Sequence, residues 1–343
     1  MYKTLVRPLL FLVSPEKIHE LLVSTVTSVH RLPLIPFILR KMYCLEEPAL
    51  EKMFLGMRFK NPVGMAAGFD KNASFYKEFS SFGFGFIEIG TITPRPQPGN
   101  PKPRSFRLPK DKALINRMGL NNHGVDAAVE MLRNRKPGLI IGGNIGKNTD
   151  TPDEKAVDDF VYCFEKLYDF VDYFVVNISC PNTGEIDKLQ DQDVMTGILG
   201  EIVTRRALKS IKKPVLLKIS PDLNFKQIDE ALLIIQNLNI DGIVATNTTV
   251  KRNNLVSDTG TVTSIGNGGL SGGPLTRRST EVIRYVSEKT EGKLPIIGVG
   301  GIMSVNDAQE KLSAGAGLIQ VYTGFIYEGP AFVKRILRSL LKS

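Results

Sequence analysis

The sequence predicts an α/β protein: a single (β/α)8 TIM-type barrel, residues 46–343, preceded by an N-terminal helical extension, residues 1–45. Three observations predict it. First, from about residue 60 onward, eight short apolar runs rich in β-branched residues recur, at 63–67, 86–91, 139–145, 173–178, 215–219, 242–246, 295–299 and 318–322. Second, helix-like segments such as 151–170, 225–238, 277–290 and 304–314 lie between them. Strands alternating with helices give a parallel sheet, and eight units match a closed barrel, with an open doubly wound sheet as the alternative. Third, polar residues gather where the runs end: Lys71, Thr91, Asn144, Asn177, Lys218, Asn247 and Gly301. The C-terminal ends of barrel strands are where such folds keep their sites.

Composition bounds the answer. The 343 residues are 42% hydrophobic and 23% charged, an ordinary globular balance with enough apolar mass for a large core. The three cysteines, Cys44, Cys163 and Cys180, form no CxxC and no His–Cys spacing typical of zinc. That argues against a disulfide framework or a metal and fits a reducing compartment. The net charge of +9 suits solubility, an anionic membrane, a nucleic acid or an acidic substrate, and does not choose among them. No run of 18 apolar residues exists, so no membrane-spanning helix is expected. Nor is there a secretory cleavage pattern at the N-terminus.

The first 45 residues differ from the rest. Ser14-Pro15-Glu16 reads as a helix start, with Ser14 as cap and Pro15 at the first position. Ile18, Leu21, Leu22, Val26 and Val29 then follow at helical spacing. A further apolar piece, 32–39, is flanked by Arg31, Arg40 and Lys41. Short amphipathic helices with basic flanks suit docking onto a bilayer surface. A helical cap packed on the main domain is the other reading. Two connections are long. Residues 92–123 hold the proline-rich run from Pro94 to Arg104, read as a rigid loop over the barrel mouth rather than a peptide ligand. Residues 250–274 are polar and glycine-rich and read as a lid.

Several stretches carry chemistry. Ala66-Ala67-Gly68-Phe69-Asp70-Lys71 ends the first strand, and its small residues let a flat ring lie against backbone, with Lys71 beside an anionic group. Gly298-Val299-Gly300-Gly301, with Ser304 and with Gln320 to Gly324, resembles a phosphate grip, to which Gly269-Leu270-Ser271-Gly272 can add backbone donors. Lys218 is either a snorkelling lysine or a cation for an anionic ring. Asn116 to Asn122, Asn144, Asn177, Asn182 and Asn247-Thr248 form an amide-rich set; asparagines mark turns, but amides at several strand ends read the edge of a pyrimidine-like ring. Cys180, in Asn177-Ile178-Ser179-Cys180-Pro181-Asn182, is a buried free thiol or a base. His19, His30 and His123 are not placed for a Ser–His–Asp set, and no carboxylate pair suits glycosidase chemistry.

Together these motifs resemble dihydroorotate dehydrogenase over almost the whole chain. The shared stretches are Asn61-Pro62-Val63-Gly64, Ala67 to Lys71, Glu88 to Pro94, Asn116 to Gly119, Asn177 to Asn182, Ala245 to Thr249, Gly269 to Gly272 and the terminal glycine pair. The resemblance implies a barrel holding FMN that oxidises dihydroorotate to orotate in pyrimidine synthesis. The helical extension and the loop 94–107 resemble the membrane-attached, quinone-reducing class, peripheral on the cytoplasmic side of an inner membrane, with no nucleic-acid partner. On that resemblance Ala67, Gly68, Phe69, Asp70, Lys71, Thr91, Asn144 and Asn177 meet FMN, as do Lys218, Thr246, Gly272, Gly301, Tyr322 and Thr323. Lys71, Asn116, Arg117, Met118, Gly119, Leu120, Asn177, Asn182, Asn247 and Thr248 meet substrate. Cys180 is the catalytic base, and His19, Arg107 and Tyr322 line the quinone tunnel. The chain departs from the pattern in three places. Cys180 stands where the quinone class usually has serine, Gly184-Glu185-Ile186-Asp187 replaces Pro-Gly-Leu-Arg, and Leu120 replaces a common phenylalanine. The rival expectations are a soluble-class enzyme using fumarate or NAD, a flavin-dependent tRNA dihydrouridine synthase, and a non-enzymatic membrane scaffold.

Overall fold

A computed structural model describes residues 2–135, 138–178 and 188–342. Eight parallel strands close into a barrel in chain order: β1 (Val63–Met65), β2 (Phe86–Ile92), β3 (Ile140–Ile145), β4 (Tyr173–Val176), β5 (Val215–Ile219), β6 (Gly242–Ala245), β7 (Ile296–Val299) and β8 (Leu318–Val321). β8 pairs with β1 through Ile319 and Val63, which closes the ring. The open-sheet alternative is excluded. Each strand is fully or nearly fully buried, as strands covered on both faces must be.

The barrel has two apolar zones. The larger lies between strands and outer helices and includes Phe79, Phe160, Phe164, Ile283, Val286 and Phe332. The smaller fills the interior, with Phe86, Tyr173, Val175, Leu216, Val244 and Leu318. A short hairpin, Lys52–Phe54 with Met57–Phe59, closes the floor and inserts Phe59 against Phe86, ring centroids 5.3 Å apart. Burying such a ring contributes about 1.5–3 kcal/mol. Gly64 leaves the room, because a Cβ there would lie 2.4 Å from the Phe86 ring.

The extension forms a short π-helical turn, then α1 (Arg7–Phe11), α2 (Pro15–His30) and α3 (Ile35–Tyr43). Ser14 holds the cap position of α2, but its side chain makes no capping bond, so the expected cap is positional only. α2 is fastened to the barrel by polar contacts: Glu16 to Arg104 at 2.7 Å, and His30 Nε2 to Ser81 Oγ at 3.0 Å. Its apolar stripe buries only Ile18. Leu12, Leu34 and Phe37 stand 83%, 70% and 65% exposed. No single described helix is long and apolar enough to cross a membrane, and α2 and α3, which would suffice together, are bent by 115°.

Both long connections hold regular structure. Ser105–Leu108 and Ala113–Asn116 form an antiparallel hairpin, and Gly269–Gly272 adds a third strand. The loop 92–123 is therefore partly a sheet over the mouth. Within 250–274, Asp258 caps the helix Thr259–Ile265 by accepting from the Thr261 N–H at 2.8 Å. This stretch holds a helix and an edge strand. Ser304 caps the helix Val305–Ser313, its hydroxyl accepting from the Asp307 N–H at 3.1 Å.

Candidate active site

Just inside the mouth the strands carry one polarised hydrogen-bond chain. Asn247 donates to Asn177 Oδ1 at 3.2 Å, and Asn177 donates to Thr91 Oγ1 at 2.9 Å. Thr91 donates to Asn144 Oδ1 at 2.6 Å, and Asn144 to Glu88 Oε1 at 2.7 Å. From β8, Gln320 donates to Glu88 Oε2 at 2.6 Å. Lys218 lies 3.6 Å from the same carboxylate. Every donor points toward Glu88, a fully buried acceptor, so the orientation of each amide follows from it. The sequence reading quoted Glu88 in a motif but gave it no role. Its signal was one acid inside the otherwise uncharged run 86–92, where a charge is tolerated only with partners.

The end of β1 supplies a flat shelf. Gly68 adopts φ +94° and donates to the Gly90 carbonyl at 2.6 Å, with half-buried Ala67 beside it. Lys71 donates to Asn121 Oδ1 at 2.5 Å. Burial, then the nearby Arg104 charge, pull its amine down to about 8. The Asp70 carboxylate accepts from the N–H groups of Ser74 at 2.9 Å and Phe75 at 2.8 Å. Burial pushes it up to about 6. Only its backbone serves the shelf, its carbonyl accepting from Gly90 N–H. Phe69 faces the extension.

Beyond β7, Gly300 and Gly301 adopt φ +107° and +70°. A Cβ on Gly301 would sit 2.3 Å from the Thr276 backbone nitrogen, so the loop lies directly on the start of the helix Thr276–Lys289. Gly272 is similarly tight, with φ +95° and the Lys112 carbonyl oxygen 2.3 Å from a would-be Cβ. Thr323 is buried, its hydroxyl 2.9 Å from Ser271 Oγ. The Tyr322 hydroxyl donates to the Gly68 carbonyl at 3.4 Å, and burial pushes it up to about 12. Thr246 donates from its backbone to Val299 and from its hydroxyl to the Asn247 carbonyl.

On the outer side, Asn116, Met118, Gly119, Leu120 and Thr248 line a cavity of about 1130 Å³ beneath the helix Thr259–Ile265. Arg117 also lines it, and its guanidinium donates to the carbonyls of Ile265, Asn267 and Pro103, which braces the sheet. Lys71, Asn177 and Asn247 lie at the strand ends rather than among this lining. Cys180 and Asn182 lie outside the described residues.

An aromatic path joins the extension to the mouth. The His19 ring packs on Phe69 at 4.9 Å, and Phe69 packs on Tyr322 at 5.2 Å. Burial, then the Lys71 charge, lower the His19 pKa, which favours neutral imidazole. Arg107 stacks over Phe11 at 4.4 Å and donates to the Val13 carbonyl at 2.6 Å. Its Nε is buried and has no partner among the described residues. Of the three residues expected at a quinone tunnel, His19 and Tyr322 are joined through Phe69, while Arg107 packs on Phe11 of α1.

A parallel barrel with a glycine cup after β7, a backbone shelf after β1 and ring-reading amides between them fits a planar heteroaromatic group with a phosphate tail. The class so defined is an eight-stranded parallel barrel with its polar groups gathered at the C-terminal ends of the strands. The family profile described as dihydroorotate dehydrogenase matches residues 49–343, and the chain belongs to that family. It is 51% identical over 342 residues to the dihydroorotate dehydrogenase (quinone) of Christiangramia forsetii, covering 100% of this chain and 99% of that protein. It is 46% identical to the enzyme of the same name from Thermosynechococcus vestitus, covering 99% and 96%. The crystal structure of DHODH from Eimeria tenella in complex with ferulenol superposes with a TM-score of 0.81 at 34% identity, covering 96% of this chain and 91% of that one.

Proposed function

We propose that this protein oxidises dihydroorotate to orotate in pyrimidine biosynthesis, with FMN as prosthetic group and a membrane quinone as electron acceptor. The full-length likeness to relatives named for the quinone reaction supports the activity. The observation that carries the acceptor is the ring contact running from His19 of α2 through Phe69 to Tyr322, which links the extension to the barrel mouth.

FMN, when bound, supplies the two-electron redox centre. Ala67 and Gly68 offer the shelf for its ring. Thr91, Asn144, Asn177, Thr246 and Lys218 would hold the ring edge, and Gly272, Gly301, Tyr322 and Thr323 would hold the phosphate. Lys71, Asn116, Arg117, Met118, Gly119, Leu120, Asn177, Asn182, Asn247 and Thr248 would hold the substrate, with Lys71 near its charge. Cys180 is the base that removes a proton from the ring carbon beside the carbonyl. A thiol titrates at about 8.5, nearer neutrality than a serine hydroxyl, and needs less activation. Arg107 keeps one buried N–H for a quinone oxygen. The exposed apolar faces of residues 1–45 support peripheral attachment to the cytoplasmic side of an inner membrane, with 46–343 as the FMN barrel.

The test is anaerobic. Purified protein is yellow, and its flavin absorbance bleaches on adding dihydroorotate. A colourless protein, or a yellow one unmoved by dihydroorotate, contradicts the proposal. The cysteine at position 180 favours a second reading, a fumarate- or NAD-linked enzyme, which the same preparation can decide.

A further inference from the structure

Among the buried cations of the described residues that the flavoprotein reading leaves unused, Arg104 is paired with Glu16 and Lys311 is not paired. Lys311, on the helix Val305–Ser313, has no exposed surface. Its Nζ donates to the Thr276 carbonyl at 2.8 Å and to the Thr280 hydroxyl. Both partners are neutral, and Lys311 forms no ion pair with any described residue. Asp307 and Glu310 of its own helix act on it only through space, neither within ion-pair distance, and the Asp307 carboxylate also accepts the Met303 N–H at 2.9 Å. The carbonyl end of its own helix offsets part of the burial cost, but not the loss of a full hydration shell. A buried charge in this state calls for a counter-charge.

The neighbourhood indicates where that counter-charge belongs. Thr276 Oγ1 donates to the Gly301 carbonyl at 2.6 Å, and Ser279 Oγ to the Gly300 carbonyl at 2.7 Å. Both loop carbonyls are thus drawn onto the helix that Lys311 holds from behind. A planar trans peptide directs its N–H opposite to its carbonyl. The N–H groups of Gly301 and Ile302 therefore face away from the helix, forming a concave anion seat.

We propose that Lys311 is the buried cation of the phosphate cup: a positioning residue that fixes the Gly300–Gly301 seat through Thr276 and gives it a preference for a phosphate dianion. This rests on the FMN reading and goes beyond it, because Lys311 touches the loop's support rather than the cofactor.

FMN and riboflavin share the ring and the ribityl chain and differ in the phosphate, so they separate the two ideas. Holoenzyme is incubated with a mixture of the two, and the bound flavins are extracted and quantified. Wild type retains FMN. Lys311→Met keeps its affinity for riboflavin and loses about tenfold or more of its preference for FMN. Lys311→Gln, which keeps a donor toward the Thr276 carbonyl but no charge, does the same. An unchanged preference, or equal loss of both flavins, overturns the proposal. So does failure of both variants to fold, which would assign Lys311 to the scaffold alone. A wild-type protein that holds neither flavin would instead contradict the flavoprotein reading.

Discussion

Glu88 of β2 and Lys218 of β5 meet inside the barrel at 3.6 Å, both almost free of solvent. Each is the other's only ion-pair partner among the described residues. Removing one leaves an uncompensated buried charge, which costs about 3–5 kcal/mol. Glu88→Gln and Lys218→Met should each lower the denaturant midpoint markedly, and the double variant less than the sum of the two. Strict additivity in the unfolding curves would mean that the pair is not coupled.

Lys71 sets a pH dependence. Its amine is held at about 8 by burial and by Arg104, so it is charged at pH 7 and largely neutral by pH 9. An anionic ligand favours the ammonium form, so binding takes up a proton above pH 8. Orotate affinity should fall as pH rises from 7 to 10, with proton uptake visible by calorimetry in buffers of different ionisation enthalpy. Lys71→Met should weaken binding and flatten the profile. A wild-type profile already flat would remove Lys71 from the substrate's carboxylate.

The exposed faces of the extension predict membrane partition. Leu34 and Phe37 point outward beside Arg40 and Lys41. Replacing both with glutamate should reduce co-sedimentation with anionic vesicles by roughly tenfold or more, since each buried apolar side chain is worth on the order of 1.5–3 kcal/mol. Equal sedimentation of variant and wild type would favour the cap reading of these helices.

Gly301→Ala places a methyl against the Thr276 backbone at a positive φ. The expected cost is on the order of 2 kcal/mol or more, because neither the backbone angle nor the helix start can yield easily. The purified variant should carry less flavin per chain. Full flavin occupancy would show that the loop is looser than its contacts imply.

Cys180→Ala should abolish flavin bleaching by dihydroorotate while FMN remains bound. Cys180→Ser should retain some activity with a more alkaline optimum, the hydroxyl being the weaker acid. Undiminished bleaching by the alanine variant would take the thiol out of the reaction.

How far the sequence reveals this molecule depends on the element. All eight barrel strands lie where apolar runs were read, within a few residues at each end, because strands buried on both faces carry a continuous signal. The three-stranded sheet over the mouth was missed. Its strands have four residues each and mixed polarity, and one comes from a segment about 150 residues away. The floor hairpin was missed for the same brevity. Among site residues, strand-end position was legible but side-chain direction was not. Asn144, Asn177 and Lys218 turn into the hydrogen-bond chain around Glu88, whereas the side chains of Asp70 and Arg117 turn to backbone groups. Backbone N–H and C=O groups compete with ligands for such side chains, and only the fold decides between them.

The most direct measurement follows flavin reoxidation after anaerobic reduction with dihydroorotate, comparing a short-chain quinone, fumarate and NAD, with and without residues 1–45. The account predicts rapid reoxidation by the quinone alone in the full chain and its loss on truncation, while reduction by dihydroorotate persists. Preferential reoxidation by fumarate or NAD, or quinone turnover indifferent to the truncation, would contradict it.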